Sequence, residues 1–203
     1  MRRNQLSLFA VILVLAVVAV GCAKPPQQEI DAAQAALAGA QQAEAPRYAA
    51  ESWDRAQQAM NAVNAELEAQ NAKFALFRSY TKAKQLIADA TNAANEAVQA
   101  GQAGKERAKN ETQAAIEEVK AVAEAAQGYL ADLEKCRRKP KDLRRDLEQM
   151  KGDLDGLVSQ IADVERKFAA DDFLGAKAQA ASVKGQLDIK ASELLEAKTK
   201  FRC

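Results

Sequence analysis

The chain has 203 residues, with 29 Lys and Arg against 28 Asp and Glu and no histidine. A formal charge of +1 excludes the strongly basic balance of a bulk nucleic-acid binder, and the lack of histidine excludes Ser-His and Cys-His catalysis and the commonest metal ligand. Nine glycines, four prolines and 5% aromatics in an Ala-, Glu-, Lys-, Gln- and Leu-rich background predict long helices rather than a large globular core.

Arg2 and Arg3 lead into an apolar run from Leu6 to Val20, broken only by Ser7 and ending at Ala19-Val20-Gly21-Cys22. A positive start, an apolar stretch of this length and small residues before a cleavage point predict an export signal over residues 1–21. About fifteen residues at 1.5 Å each reach roughly 22 Å, short of the ~30 Å hydrocarbon core, so the run reads as removed rather than spanning. Val18 to Cys22 resembles the lipobox of bacterial lipoproteins, with Ala19 where Leu is usual. The resemblance implies that Cys22 becomes the acylated, palmitate-bearing first residue, so that a lipid holds the chain on a membrane. Ala23 in place of Asp resembles outer-membrane sorting, which implies a location on the outer membrane facing the periplasm. Loss of the two leader arginines leaves a net charge of about −1.

Residues 22–28, with Pro25 and Pro26, read as a short tether. A first helix is predicted from near Glu29, with Ile30, Ala33, Leu37 and Ala40 on one face, and Pro46 ends or bends it. The next helix carries the seam Trp53, Ala56, Met60, Val63, Leu67, Gln70 and Phe74, a heptad pattern. A turn over Leu76 to Ser79, with Ser79 as the candidate cap, leads to a helix from Tyr80. The seam recurs as Leu147, Met150, Leu154, Leu157, Ile161, Val164 and Phe168, and Tyr80, Ala83, Lys84, Ala90 and Ala94 recur as Phe173, Ala176, Lys177, Val183 and Leu187. Two copies of a helical hairpin follow from this pattern. Tyr80 to Cys136 contains no proline, and Ile116, Val119, Ala123, Ala126, Leu130 and Leu133 keep the helical spacing, so one helix of about 57 residues can join both hairpins. Gly101 and Gly104 are its weak place, where a bend or break is expected. Pro140 enforces the next reversal, before helices from Lys141 to about Ala170 and from Asp172 to about Arg202. The predicted fold is all-α: elongated antiparallel hairpins in a coiled-coil-like bundle with one long central helix. Its regions are 29–108 and 109–203, the second a three-helix layer.

Cys136 and Cys203 fall at one pole of the second hairpin, where an oxidising compartment favours a disulfide closing a loop of nearly seventy residues, worth on the order of 4 kcal/mol. The same pole is basic through Lys135, Arg137, Arg138, Lys139, Lys141, Arg144 and Arg145, with Lys198, Lys200 and Arg202 beside them and Asp171 and Asp172 at the opposite tip. Two accounts stand: charges complementing helix macrodipoles, or a site for envelope polyanions such as lipid phosphates and peptidoglycan carboxylates. Trp53, Tyr48 and Tyr129 have the spacing of packing residues. No Gly-rich phosphate loop or Cys-x-x-Cys occurs, and no enzyme, cofactor or metal is expected.

The stretch from Ile30 through Pro46-Arg47-Tyr48 and Trp53 to Tyr80-Thr81-Lys82-Ala83 resembles the Ala-rich bacterial envelope lipoproteins grouped as domain of unknown function 4398. That likeness covers residues 22 to about 100 and brings no assigned activity. Thr199-Lys200-Phe201-Arg202-Cys203 is faintly similar to the end of Braun's murein lipoprotein, whose terminal Lys is joined to peptidoglycan; here Cys203 stands in that place. Together these readings predict a non-catalytic structural or adaptor lipoprotein, with a membrane, peptidoglycan or an envelope protein as partner and a capacity to self-associate. An assembly partner of an envelope complex and a holdase-like chaperone are the rival expectations.

Overall fold

The computed structural model describes residues 23–136 and 141–201, so the leader with Cys22, residues 137–140, and Arg202 and Cys203 lie outside the described residues. Every regular element among the described residues is helical: α1 (Gln27–Gln42), a one-turn α2 (Ala45–Tyr48), α3 (Ala50–Asn71), a 3-10 turn (Ala75–Phe77), α4 (Thr81–Lys135), α5 (Lys141–Ala169) and α6 (Phe173–Phe201). The expected all-α fold and its long central helix are therefore present, and α4 runs 55 residues without interruption. The chain forms two compact units divided after Gly104, so α4 supplies helix to both.

The first unit combines α1, α3 and the start of α4. Helix α1 begins at Gln27 rather than near Glu29, because Pro26 is already buried and its carbonyl accepts the Ile30 N–H at 3.0 Å. Among the described residues Ala23 to Pro26 precede the helix, so Gln27 and Gln28 of the expected 22–28 tether belong to α1. Ile30 and Ala33 of α1 meet Met60 and Val63 of α3 and Ile87 and Ala90 of α4 in one layer. Ala40, Ala45, Ala56, Ala94 and Ala97 form the next. Residue numbers rise from the first layer to the second in α1 and α4 and fall in α3, so α3 runs antiparallel to both. Alanine covers little area, so such layers hold only where the helices come close.

Closeness explains the two glycines. The reversal from α1 to α3 passes through Glu44 in the left-handed region (φ 55°) and Pro46 in the first turn of α2. That reversal lies against α4: a Cβ on Gly101 would sit 2.7 Å from the Ala43 carbonyl oxygen and 3.0 Å from the Ala45 Cα, and one on Gly104 would run into the Tyr48 carbonyl. The expected break does not occur there. Both glycines lie inside a continuous helix and serve the approach of another backbone.

The second unit combines the rest of α4 with α5 and α6 around larger side chains, including Leu130, Leu133, Leu154, Leu157, Leu187 and Leu194. Glu111 pairs with Lys177 and Asp132 with Lys198, each 66 residues apart and 2.6 Å from nitrogen to oxygen, so α4 and α6 run parallel in a fixed register. Lys120 to Glu165 (2.5 Å) and Lys151 to Glu134 (3.8 Å) run in opposite senses, which makes α5 antiparallel to α4. The buried Thr112 hydroxyl lies 2.6 Å from the Ala108 carbonyl and 2.9 Å from that of Phe173, tying α6 to α4 where α6 begins. Asp171 (φ 60°) turns the chain, and the Asp172 carboxylate accepts the Gly175 N–H at 3.2 Å as the cap of α6.

The repeated hairpin of the sequence has matching environments. Tyr80, Ala83, Ala90 and Ala94 are buried, as are Phe173, Ala176, Val183 and Leu187. Lys84 pairs with Glu29 at 3.4 Å, as Lys177 pairs with Glu111. Helix α1 thus does in the first unit what the later part of α4 does in the second, and each unit is a three-helix arrangement.

The two kinds of glycine in α4 should respond in opposite ways. Gly104→Ala is expected to lower stability by about 1–3 kcal/mol through overpacking. Gly128→Ala, at an exposed position with no atom within 4 Å of the added carbon, should raise it by up to about 1 kcal/mol through helix propensity. Urea unfolding followed by circular dichroism gives both signs.

Candidate functional site: a basic pole and an apolar tip

The pole of the second unit is built by the end of α4, the start of α5 and the end of α6. Leu133, Leu143, Leu147 and Leu194 join these ends in one core, with Ala197 and Phe201 packed against it. Of the expected cations, Arg137, Arg138 and Lys139 lie outside the described residues, as does the side chain of Lys141. Arg144 and Arg145 are exposed. Lys198 is engaged: its ammonium holds Asp132, stands 5.5 Å from the Tyr129 ring centre, and keeps the Asp132 carboxyl below its ordinary range. Lys200 stands over the Phe201 ring at 5.7 Å. Acids also reach this end, since Glu134 and Glu148 share a depression with Arg144, and Arg145 approaches Asp146 at 3.8 Å.

The macrodipole accounts for only part of the pole. Lys135, Lys198 and Lys200 lie in the last turns of α4 and α6, where a cation is favoured. Lys141, Arg144 and Arg145 fall within the first five residues of α5, where the helix end is itself positive. Those three charges oppose the dipole.

Cys136 follows the last turn of α4, is half-buried, and is disulfide-bonded. Its expected partner Cys203 lies outside the described residues. The offset of 66 between paired residues of α4 and α6 is close to the 67 residues that separate Cys136 from Cys203 in sequence, which supports Cys203 as that partner.

The packing readings of the aromatics agree with their environments: Trp53 packs on the alanine layer of the first unit and Tyr129 on the leucine core of the second. Tyr48 is half-buried. Among the described residues no group of three or more Cys, Asp and Glu is arranged to hold a metal ion.

The sequence reading missed the tip between α3 and α4. Phe74, Leu76 and Phe77 are 71%, 74% and 76% exposed. The seam at Gln70 is polar and closes the turn below them. Gln70, itself buried, donates to the Glu66 carboxylate at 2.6 Å and accepts from the Ser79 N–H and the Lys73 ammonium, both at 3.1 Å. Lys82 reaches the other Glu66 oxygen at 2.8 Å. Arg78 donates to the Lys73 and Asn71 carbonyls (3.0 and 2.9 Å), and the Tyr80 hydroxyl bonds Asn71 Oδ1 at 3.1 Å. The helix α4 starts at Thr81, so Tyr80 and not Ser79 holds the position before its first turn. The Ser79 N–H is spent on Gln70, and the Tyr80 carbonyl accepts the first helical bond from Lys84. Four apolar residues in a row, Phe74-Ala75-Leu76-Phe77, flanked by Lys73 and Arg78, were the available signal.

No family model, no curated protein and no solved structure matches the chain.

Hydrogen bonds from Lys82 and then Gln70 hold the Glu66 carboxyl below its ordinary value of 4.5. A carboxyl depressed on folding stabilises the fold above its unfolded value and loses that contribution as the pH falls through the lower folded value. The protection factor of the Ser79 amide, taken relative to intrinsic exchange at the same pH, should therefore be high at pH 6 and fall as the pH drops through the lowered Glu66 value, and Gln70→Ala should remove it at both ends. Hydrogen-exchange mass spectrometry across residues 78–80 reads the effect. In the second unit, reductant should lower the unfolding temperature, and a non-reducing peptide map should give a Cys136 to Cys203 cross-link. An unchanged melt would remove the staple.

Proposed function

We propose that the chain is a non-catalytic, lipid-anchored helical lipoprotein of the cell envelope, acylated at Cys22 and held on the outer membrane facing the periplasm, where it acts as a structural tether. The leader supplies the address, through Arg2, Arg3, the apolar run and the small residues before Cys22. Residues 22 to about 100 carry the likeness to the envelope lipoproteins of domain of unknown function 4398. The short tether supports the anchored reading, since only Ala23 to Pro26 stand between Cys22 and a packed helix.

The observation that carries the tether is the placement of Lys141, Arg144 and Arg145 at the start of α5. Charges that oppose a helix dipole cost stability, so their presence is explained by what they bind. A polyanion such as the carboxylates of peptidoglycan fits a cluster extending from Lys135 to Arg145. A holdase would need apolar surface along its helices, whereas among the described residues the large exposed apolar side chains outside the Phe74 to Phe77 turn are Leu174, Ile189 and Leu195.

Native protein from detergent-solubilised envelopes should sediment with peptidoglycan sacculi in low salt and leave them after muramidase. Raising ionic strength from 0.1 to 1 M shortens the screening length from about 10 to 3 Å and should release most of it. Arg144→Glu with Arg145→Glu should weaken retention in low salt without lowering stability. Full release into detergent at low salt would set the tether aside and favour an envelope protein as partner, to be found by cross-linking.

A further inference from the structure

We infer that the Phe74-Ala75-Leu76-Phe77 tip is a bilayer-inserting wedge that docks the first unit on the lipid surface from which its own N-terminus emerges. Three observations lead to it. The first is what the tip exposes: two phenylalanines and a leucine, each more than two-thirds accessible, on a 3-10 turn of the kind of surface that soluble faces rarely present together. The second is how the tip is held. Bonds from Arg78 to the Lys73 and Asn71 carbonyls and from the Ser79 N–H to the Gln70 side-chain oxygen fix the turn from below, while the three side chains stay exposed. The third is where the tip lies. Ala23 and Lys24 line one depression with Tyr80, Thr81 and Lys84, and Lys84 pairs with Glu29 in the first turn of α1. The chain therefore leaves the first unit at the same end as the tip, one residue after Cys22.

Charge selects the occupant. Residues 71–84 contain Lys73, Arg78, Lys82 and Lys84 and no acid, and Lys24 adds a fifth cation at this end. Glu29 and Glu66 offset two of them, leaving the tip framed by positive charge. Apolar side chains ringed by cations match a bilayer interface, where aromatics settle at headgroup depth and Lys and Arg reach anionic phosphates. A second copy of the chain fits less well, because apposed tips would bring like-charged rings together. The inference rests on the proposed membrane attachment at Cys22, and it gives that attachment a second contact, which would fix the first unit's orientation on the lipid surface.

The test uses the full chain extracted from membranes and reconstituted into vesicles of phosphatidylethanolamine and phosphatidylglycerol, with or without bromine on the acyl chains. Leu76→Trp and Ile189→Trp are compared, each with Trp53→Phe, and circular dichroism verifies the fold. Ile189 is 60% exposed on α6 and serves as the control. The expected result is a shift of the Leu76→Trp emission to shorter wavelength and a loss of intensity on brominated lipid, with Ile189→Trp unchanged. Acylation is read separately from the mass of the N-terminal peptide. Quenching without acylation would remove the lipid anchor and leave the wedge standing. Acylated, vesicle-bound protein with an unquenched Leu76→Trp overturns the wedge and leaves the anchor. Equal quenching of both tryptophans, a dimer cross-linked through the tips, or failure to float with vesicles also overturns it.

Discussion

Close approach of helix backbones is the constraint on which the first unit depends. Its core is drawn largely from Ala33, Ala40, Ala45, Ala56, Ala83, Ala90, Ala94 and Ala97, and side chains that short touch only when the helices nearly do. The reversal around Glu44 and Pro46 must therefore lie flat on α4, and α4 must offer no Cβ where the Ala43 and Tyr48 carbonyls come in. The second unit meets the same three-helix requirement with Leu, Ile and Val, which reach further and leave four of its five glycines, 128, 152, 156 and 185, with nothing within 4 Å of an added carbon, the fifth, Gly175, meeting only the Asp172 side chain. One architecture is thus held in two ways: by proximity in the first unit, by side-chain volume in the second.

The difference shows most clearly at the two hairpin turns. Phe74 and Phe168 occupy the same seam position, yet Phe168 is half-buried with its ring centre 5.2 Å from that of Phe173, while Phe74 points to solvent. In the second unit Asp171 and Asp172 reverse the chain almost at once, so the next aromatic arrives beside the last. In the first, eight residues separate the end of α3 from Tyr80, and Gln70, in the seam position of Val164, makes a polar closure with the neighbouring Glu66. Tyr80 is buried in the position of Phe173, but its hydroxyl is turned to Asn71 and it leaves Phe74 without a ring to pack on.

Periodicity made much of this legible. The three-and-four spacing located the buried faces of α1, α3, α5 and α6 and the length of α4, because each face must meet a partner wherever it lies in the chain. It could not say where a partner ends. Phe74 continues the stripe of Trp53 to Gln70 on paper, and only the path of the turn places it beyond the last residue able to cover it. Gly101 and Gly104 were obscure for a related reason: a glycine that weakens a helix and one that admits a neighbouring carbonyl look identical in sequence. Ser79 looked like a cap from its type and place, but the helix begins one residue later, with the Tyr80 carbonyl accepting from Lys84, while the Ser79 N–H goes to Gln70, nine residues back. At the basic pole the residues were visible but their pairing was not. Lys198 is spent on Asp132 across a helix pair, a fact that depends on a register of 66 residues.

Charge placement then separates structure from purpose. A cation in the last turn of α4 or α6 needs no explanation beyond the carbonyls it faces, and Lys135, Lys198 and Lys200 are of that kind. The start of α5 is different, because Arg144 and Arg145 stand exposed at a positive helix end where Glu or Asp would cost less. The apolar tip poses the same question in another currency: Phe74, Leu76 and Phe77 give up burial that Phe168 keeps. Both features forgo local stability on the surface of a unit whose core is otherwise complete. A fold this simple can carry such local costs, since neither Arg144, Arg145 nor the tip residues belong to the clusters that hold the helices together. That independence lets the basic cluster and the apolar turn be altered without touching the three-helix packing that presents them.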